Sequence, residues 1–216
     1  SSDLLREIQE EVLKYIISNS VERDDAEDEY FVQMDYSKFP KLYEFVFSRA
    51  LTSVVETSSC FLPGNKSLMT HIDGLKKNNG KVPEDRMLAN QWVMVIPIAN
   101  TAQTTSYWYK NEDVADEDEI IVNRVRPEPP YNFYVSFAKP ELNLQPIDST
   151  VIDKITFIKS DIYHTVVNCG PNTRMVFIVR FKEAKKIYSS PEEIFNYKDL
   201  IWITLVTMQV GLNKSM

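Results

Sequence analysis

The sequence contains few of the residues that build metal clusters and disulfide frameworks. Among its 216 residues there are two cysteines, Cys60 and Cys169, and two histidines, His71 and His164. Two cysteines cannot form a disulfide framework or a thiolate zinc cluster, and this usage suits a reducing, cytoplasmic location. Two histidines are enough for one site that uses a pair of imidazoles.

Glycine and positive charge are also scarce. Glycine occupies five positions, whereas hydrophobic residues make up 44% and aromatic residues 12% of the chain. This composition excludes a collagenous or disordered chain and provides enough apolar surface for a sizeable core. The formal net charge of −7 argues against a nucleic-acid partner, because phosphate-driven binding requires a basic surface.

No segment has the pattern of a targeting or membrane-spanning sequence. The N-terminal residues lead directly into a charged amphipathic segment and lack the basic-then-apolar order of a secretory signal. The longest apolar stretch, residues 200–210, contains threonine and glutamine and is too short to span a bilayer. We therefore expect a cytoplasmic protein with no membrane partner.

The apolar periodicity predicts three helices, at residues 3–18, 40–51 and 191–205. The third begins with a capping box, in which Ser190 precedes a proline and Glu193 follows three residues later. Its apolar residues exceed one narrow stripe, so this helix is either deeply packed or part of a homodimer interface. The acidic run at 21–29 is too charged to be buried and predicts an exposed loop.

Nine β-strands are predicted between the second and third helices, and turn formers separate them. They span residues 54–62, 67–73, 91–98, 104–109, 119–125, 131–137, 151–158, 163–167 and 173–181. No helical patterns alternate with the strands, which favours a sandwich or barrel over a parallel sheet. We expect a single domain, with N-terminal helices in 1–52, a β core in 53–182 and a helical segment in 183–216.

The last two strands organise the candidate site. Residues 161–180 have the pattern of a β-hairpin, with turn formers between two runs of β-branched and aromatic residues. A five-residue loop, 168–172, would place His164 and Arg174 on one face as diagonal neighbours, roughly 7–8 Å apart. A four-residue loop would place them on opposite faces, so this inference depends on the register.

The other histidine lies in the sequence His71-Ile72-Asp73. In a strand, residues i and i+2 point the same way, so an imidazole and a carboxylate are presented together. With His164 the set becomes two imidazoles and one carboxylate. This is the ligand set of the facial triad that binds non-haem Fe(II) and leaves coordination positions open.

A chain with His-x-Asp, a long insertion, a distal His and an Arg ten residues further on resembles the Fe(II)/2-oxoglutarate-dependent dioxygenases. The likeness runs from about Val55 to Phe181. Residues 161–181 look most like the aspartyl-hydroxylase-like and prolyl-hydroxylase-like branches of that family. The resemblance implies a mainly β fold with flanking helices, whose core is a double-stranded β-helix of the jelly-roll, cupin-like kind.

The resemblance also implies the roles of individual residues. His71, Asp73 and His164 would bind Fe(II), and Arg174 would bind the distal carboxylate of the cosubstrate 2-oxoglutarate, with O2 as the second cosubstrate. The expected activity is hydroxylation of a C–H bond. The substrate is not identified by the sequence; a protein side chain is the first expectation, a small molecule the second and a nucleobase the third.

Further candidates and alternatives remain open. Asn90 and Trp92 could border the cosubstrate, and Tyr107 could supply a phenol, although aromatic and amide residues at strand spacing usually belong to packing. Cys169 could act as a nucleophile, but it lacks any recognisable flanking pattern. The main alternative is a non-catalytic or cupin-like metal-binding β-helix that acts as a binding module. Cupins, however, would need His-x-His where this chain has His-x-Asp.

Overall fold

The computed structural model describes residues 2–21, 28–74, 92–126, 131–181, 190–196 and 204–206. Within these residues the chain forms twelve β-strands. In chain order they are β1 (Tyr30–Gln33), β2 (Val54–Leu62), β3 (His71–Ile72), β4 (Trp92–Ala99), β5 (Thr104–Trp108), β6 (Glu119–Arg126), β7 (Tyr131–Ala138), β8 (Asp148–Thr150), β9 (Thr156–Lys159), β10 (His164–Asn168), β11 (Arg174–Phe181) and β12 (Thr204–Val206).

The strands form two six-stranded sheets. The first has the order β1-β2-β11-β4-β9-β12 and the second has the order β6-β7-β3-β10-β5-β8. From β2 to β5, and again from β8 to β11, the chain passes from one sheet to the other at every step. This alternation between two facing sheets defines a double-stranded β-helix, or jelly roll. The predicted fold class is therefore confirmed.

Two helices near the N-terminus, α1 (Ser2–Ser18) and α2 (Pro40–Phe47), cover the outer face of the first sheet. Ile8, Val12 and Ile16 recur at four-residue steps, and all three are buried. The apolar stripe of α1 thus packs on the outside of a sheet, as predicted. Among the described residues no helix is both long and apolar enough to cross a membrane.

The alternation of side chains along β4 separates two layers of the core. Trp92, Met94 and Ile96 lie in the large cluster that includes the helices. Val93 and Val95 lie in a second cluster, between the two sheets. Because successive side chains of a strand point to opposite faces, Val93 and Val95 face the interior, where a site can form.

The region between α1 and β2 contains structure that the sequence pattern did not predict. Helix α2 ends at Phe47 rather than at residue 51, because Ala50 forms a β-bridge with Phe195. Strand β1 was not predicted either; it is a four-residue edge strand that pairs with β2 and places Phe31 opposite Cys60. The acidic run predicted as a loop therefore ends directly at a strand.

The predicted C-terminal helix, residues 191–205, is wrong where the structure describes it. Only Pro191–Glu193 forms a helical turn, of the 3₁₀ type, and the Ser190 side chain makes no capping hydrogen bond. Residues 204–206 form β12, which pairs in parallel with β9. Tertiary pairing with the sheets thus overrides a favourable local sequence. The predicted homodimer interface on this helix is untested. Within the described residues, the helix that would form the interface is limited to the turn Pro191–Glu193.

The predicted hairpin is also wrong, because β10 and β11 belong to different sheets. Strand β10 pairs with β3 and β5, and β11 pairs with β2 and β4. The turn between them crosses the barrel and is held by Asn168, whose amide nitrogen donates to the carbonyls of Leu62, Pro63 and Asn172 at 2.9 to 3.1 Å. The predicted distance of roughly 7–8 Å between His164 and Arg174 assumed a hairpin, so it does not apply to this structure.

Candidate metal and cosubstrate site

A cavity of about 50 Å³ lies between the two sheets. It is lined by all four residues to which the dioxygenase resemblance assigns a role: His71, Asp73, His164 and Arg174. Although the hairpin is not formed, the inner faces of β10 and β11 look toward each other across the barrel, and this brings His164 and Arg174 to the same cavity. Val176 and Ile178 point to the same side of β11 as Arg174 and also line the cavity, as predicted.

Two ends of this cavity differ in composition. The histidine end is formed by His71, Asp73, His164 and Arg180, and the Arg174 end by Arg174, Glu29 and Cys60. Arg174 and Arg180 are six residues apart on β11, so their Cα atoms are about 20 Å apart at the usual rise of a strand.

The two histidines are register partners in adjacent strands. His71 on β3 pairs with His164 on β10, and their ring centroids are 4.5 Å apart. Each Nδ1 lies 2.8 Å from a backbone carbonyl oxygen two residues earlier, that of Met69 for His71 and that of Ile162 for His164. A carbonyl can only accept, so each neutral ring carries its proton on Nδ1 and leaves the lone pair of Nε2 for a metal.

The approach to His164 is fixed by a side chain from the acidic loop after β5. Asn111 Nδ2 donates to the carbonyl of Asp161, and Asn111 Oδ1 accepts the N–H of Tyr163, both at 3.0 Å. These bonds orient the chain immediately before β10. Burial lowers the pKa of His164, although Asp73 partly offsets this effect, and the neutral ring is the form that binds metal.

Asp73 lies just beyond the end of β3, because the predicted strand 67–73 is regular only at His71–Ile72. Its side chain is buried, with 6% exposed, and its Oδ2 lies 2.5 Å from Nη1 of Arg180. The Nε atom of Arg180 is 3.6 Å from Glu56. Burial alone would raise the pKa of Asp73, but Arg180 and the two histidines lower it to about 2. The carboxylate is therefore ionised at neutral pH.

The donor set fits a divalent metal with nitrogen and oxygen ligands. Two Nε2 lone pairs and one ionised carboxylate border the same space, and Arg180 Nη1 donates to Oδ2 of that carboxylate. Within the described part of the chain, no three His, Cys, Asp or Glu side chains are already grouped as a metal cluster. The assignment of His71, Asp73 and His164 as ligands thus stays a prediction.

Arg174 is buried, with 3% exposed, and its Nε atom has no hydrogen-bond partner. Burial lowers the pKa of its guanidinium, while Cys60 and Glu29 act in the opposite direction. The Cys60 thiol donates to Glu29 Oε1 across 3.3 Å. A buried guanidinium with bonding capacity to spare, directed into a cavity, is suited to bind a carboxylate.

Two other predicted residues, Trp92 and Tyr107, do not line the cavity in the described structure. Trp92 packs on the outer face of β4 beneath the helices, which contradicts its predicted contact with the cosubstrate. Tyr107 lies between Ser106 and Trp108, which both line the cavity, so alternation turns it to the opposite face of β5. Its predicted phenol is therefore misplaced. Asn90 lies outside the described residues.

Two contributors to the site, Arg180 and Glu29, were not among the residues predicted for it. Arg180 stands near the end of its strand, where a long side chain can usually reach water, yet it is buried between Asp73 and Glu56. Its position on the Arg174 face of β11 was the available signal. Glu29 was assigned to an exposed loop, but it is half-buried and lines the cavity. No local signal marked it, because β1 was not predicted.

Fold and site together define a double-stranded β-helix with a candidate metal centre at one end of its interior and a buried arginine at the other. No protein-family model and no curated protein matches the chain. Solved structures do resemble it. The non-heme alpha ketoglutarate dependent carbocyclase SnoK from nogalamycin biosynthesis is 15% identical, covering 85% of this chain and 76% of its own, with a TM-score of 0.47.

Two further structures illustrate the range of these neighbours. An RmlC-like cupin family protein with a double-stranded beta-helix fold, from Methanocaldococcus jannaschii, is 11% identical over 74% of this chain and 85% of its own, with a TM-score of 0.29. E. coli ycfD is 11% identical over 76% of this chain and 37% of its own, with a TM-score of 0.40. These are likenesses of fold.

Proposed function

We propose that this chain is an Fe(II)- and 2-oxoglutarate-dependent oxygenase that hydroxylates a C–H bond of its substrate. The observation that supports it is that His71, Asp73, His164 and Arg174 all line one cavity between the sheets. The site combines two imidazole nitrogens, one ionised carboxylate and one buried guanidinium. That combination suits a redox metal with open positions and an anionic cosubstrate.

In this proposal each side chain has a separate task. His71 and His164 present Nε2 because their Nδ1 protons are held by backbone carbonyls. Arg180 holds Oδ2 of Asp73, so the second oxygen, Oδ1, is the atom that would bind the metal. Arg174 would bind the distal carboxylate of 2-oxoglutarate. Bound Fe(II) would supply the activation of O2 that couples decarboxylation of 2-oxoglutarate to hydroxylation.

The interior restricts where a substrate can approach. The walls between the two ends are apolar, and the cavity is small, about 50 Å³. His164 and Asp73 are buried, whereas His71 is partly exposed. A substrate C–H bond would therefore approach from the side of His71, while the interior excludes water. A protein side chain remains the first expectation for the substrate, because the resemblance is to the aspartyl- and prolyl-hydroxylase-like branches.

The test does not require the substrate. An oxygenase of this class commonly converts 2-oxoglutarate to succinate slowly when no substrate is present. We expect succinate, measured by mass spectrometry, from the parent protein with Fe(II), 2-oxoglutarate, O2 and a reductant. Asp73→Ala should form none, and the control Asp113→Ala, which removes an exposed carboxylate, should retain the parent rate.

The contrary result is equally informative. If the parent forms no more succinate than Asp73→Ala, in samples shown to contain iron and 2-oxoglutarate, the chain is not an oxygenase. A non-catalytic β-helix that acts as a binding module would then be the better assignment.

A further inference from the structure

Glu29 is the acidic side chain at the Arg174 end of the cavity. It lies directly before β1, the edge strand of the first sheet, and reaches the interior beside Cys60. The distance from Cys60 Sγ to Glu29 Oε1 is 3.3 Å. The carboxylate is therefore held inside the barrel and not in the solvated loop that its acidic neighbours suggest.

The register of the sheet explains why Glu29 and Arg174 border the same end of the cavity. Tyr30 pairs with Phe61, so the next pair toward the N-terminus would set Glu29 opposite Leu62. Arg174 pairs with Leu62 from the other side of β2. Glu29 and Arg174 thus flank the same position of β2, and both line the cavity. The strand between them supplies an apolar residue, so it offers no competing charge.

The charges at this end are balanced without any ligand. A guanidinium that is 97% buried requires a nearby anion, because an uncompensated buried charge is costly. An incoming carboxylate would bind the same guanidinium and would lie next to Glu29, where two like charges repel. One carboxylate is enough to neutralise the charge of the Arg174 guanidinium, and it can come from Glu29 or from a ligand.

We propose that Glu29 is the internal counter-ion of Arg174 and occupies the place of a ligand carboxylate until a dicarboxylate displaces it. The displacement step rests on the proposed function, in which 2-oxoglutarate is the dicarboxylate that binds Arg174. Displacement is structurally simple, since β1 is only four residues long and pairs with β2 alone among the described strands. Glu29 would then lower the affinity for 2-oxoglutarate and select for ligands that bind the metal as well.

The first test needs no ligand. Melting temperatures of metal-free parent, Glu29→Gln, Arg174→Met and the double variant form a double-mutant cycle. We expect Glu29→Gln to lower the melting temperature by several degrees in the parent and to have little effect in the Arg174→Met background. The cycle is repeated with Arg174→Gln, which also removes the positive charge, in case Arg174→Met does not fold. Glu10→Gln, which removes an exposed glutamate from α1, should have the same effect in both backgrounds.

The second test measures displacement. Calorimetric titration of 2-oxoglutarate into Mn(II)-loaded protein should show affinity about tenfold higher for Glu29→Gln than for the parent, if Arg174 is released from Glu29 in roughly one molecule in ten. Equal or weaker binding by Glu29→Gln would overturn the displacement, because a residue that only orients Arg174 would weaken binding when removed.

The outcomes also separate this inference from the proposed function. Additive effects in the cycle overturn the counter-ion role, whatever ligand binds. Coupling in the cycle, together with no 2-oxoglutarate binding by either Mn(II)-loaded protein, supports the counter-ion role but overturns the proposed function and with it the displacement by a dicarboxylate.

Discussion

Arg174 and Arg180 lie on the same face of the same strand, yet the two ends of the cavity use them differently. Arg180 is held between two buried carboxylates, with Asp73 at 2.5 Å and Glu56 at 3.6 Å. The carboxylate at the Arg174 end, Glu29, lies directly before the edge strand β1. One arginine is committed to the structure, and the other has capacity for a ligand.

The neighbouring strand explains the difference. On β2 the register partner of Arg180 is Glu56, whereas that of Arg174 is Leu62. A cross-strand pair of opposite charge satisfies Arg180 within the sheet, and an apolar partner leaves Arg174 to find its anion elsewhere. Residue type and strand face are thus insufficient to predict which arginine is paired with a carboxylate within the sheet. The partner on the adjacent strand decides it.

The largest effect should come from breaking the histidine end. Arg180→Met leaves Asp73 and Glu56 as buried carboxylates without their cation, so it should lower the free energy of unfolding by about 3–5 kcal/mol. Chemical denaturation of the metal-free protein measures this. Arg6→Met is the matched control, because Arg6 is exposed and 4.0 Å from Asp3. Its effect should be below about 0.5 kcal/mol. Equal effects of the two substitutions would show that the buried pair is not structural.

Metal binding should depend on the same end of the cavity. Mn(II) at about 100 times its dissociation constant should stabilise the parent by about 2.7 kcal/mol, because it binds only the folded chain. His71→Ala should lose this gain. Thr70→Ala, which changes a side chain in the groove on the outside of the barrel, should keep it. Thermal melts with and without Mn(II) report the shift. An unchanged shift in His71→Ala would exclude the proposed ligand set.

The Arg174 end should affect the cosubstrate and not the metal. Arg174→Met should keep the Mn(II)-induced shift but lose about 1.5–3 kcal/mol of 2-oxoglutarate binding, the usual contribution of hydrogen bonds to a charged group. Anaerobic titration of the metal-to-ketoacid absorption band with Fe(II) measures the affinity. This substitution should also destabilise the fold less than Arg180→Met does. Equal 2-oxoglutarate affinity in parent and variant would remove Arg174 from the site.

The smallest effect should come from Cys60. In Cys60→Ser a hydroxyl replaces the thiol that donates to Glu29, so the contact is kept and the free energy of unfolding should change by about 1 kcal/mol or less. Cys169→Ser is the control, since Cys169 is exposed. Denaturant titration compares the two. A loss as large as that of Arg180→Met would mean that the Arg174 end is as rigidly built as the histidine end.

Local pattern was sufficient for the general class of fold and for the direction in which side chains point along one strand. Strand spacing, turn formers and the absence of alternating helices predicted a β-sandwich or barrel, and the resemblance specified the double-stranded β-helix that the topology confirms. The apolar stripe of α1 predicted its packing on a sheet. Alternation along β11 predicted that Arg174, Val176 and Ile178 face one way, because the period of a strand is a local property.

Pairing between distant strands could not be predicted in the same way. A turn between two β-branched runs has one sequence signature whether the runs form a hairpin or cross between sheets, so β10 and β11 were joined wrongly. For the same reason the C-terminal capping motif predicted a helix where Phe195 instead forms a β-bridge with Ala50. Local propensity is weak compared with the pairing and burial that a whole barrel provides.

The sequence by itself determined which chemical groups are available: two imidazoles, a carboxylate two residues after the first, and an arginine ten residues after the second. Tertiary structure decided what each group meets. It placed Trp92 and Tyr107 on the outer faces of their sheets, paired Arg180 with Asp73 and brought Glu29 to the Arg174 end. The reason is physical. Covalent spacing sets side-chain direction along one strand, whereas the partners across a cavity depend on contacts between residues far apart in the chain.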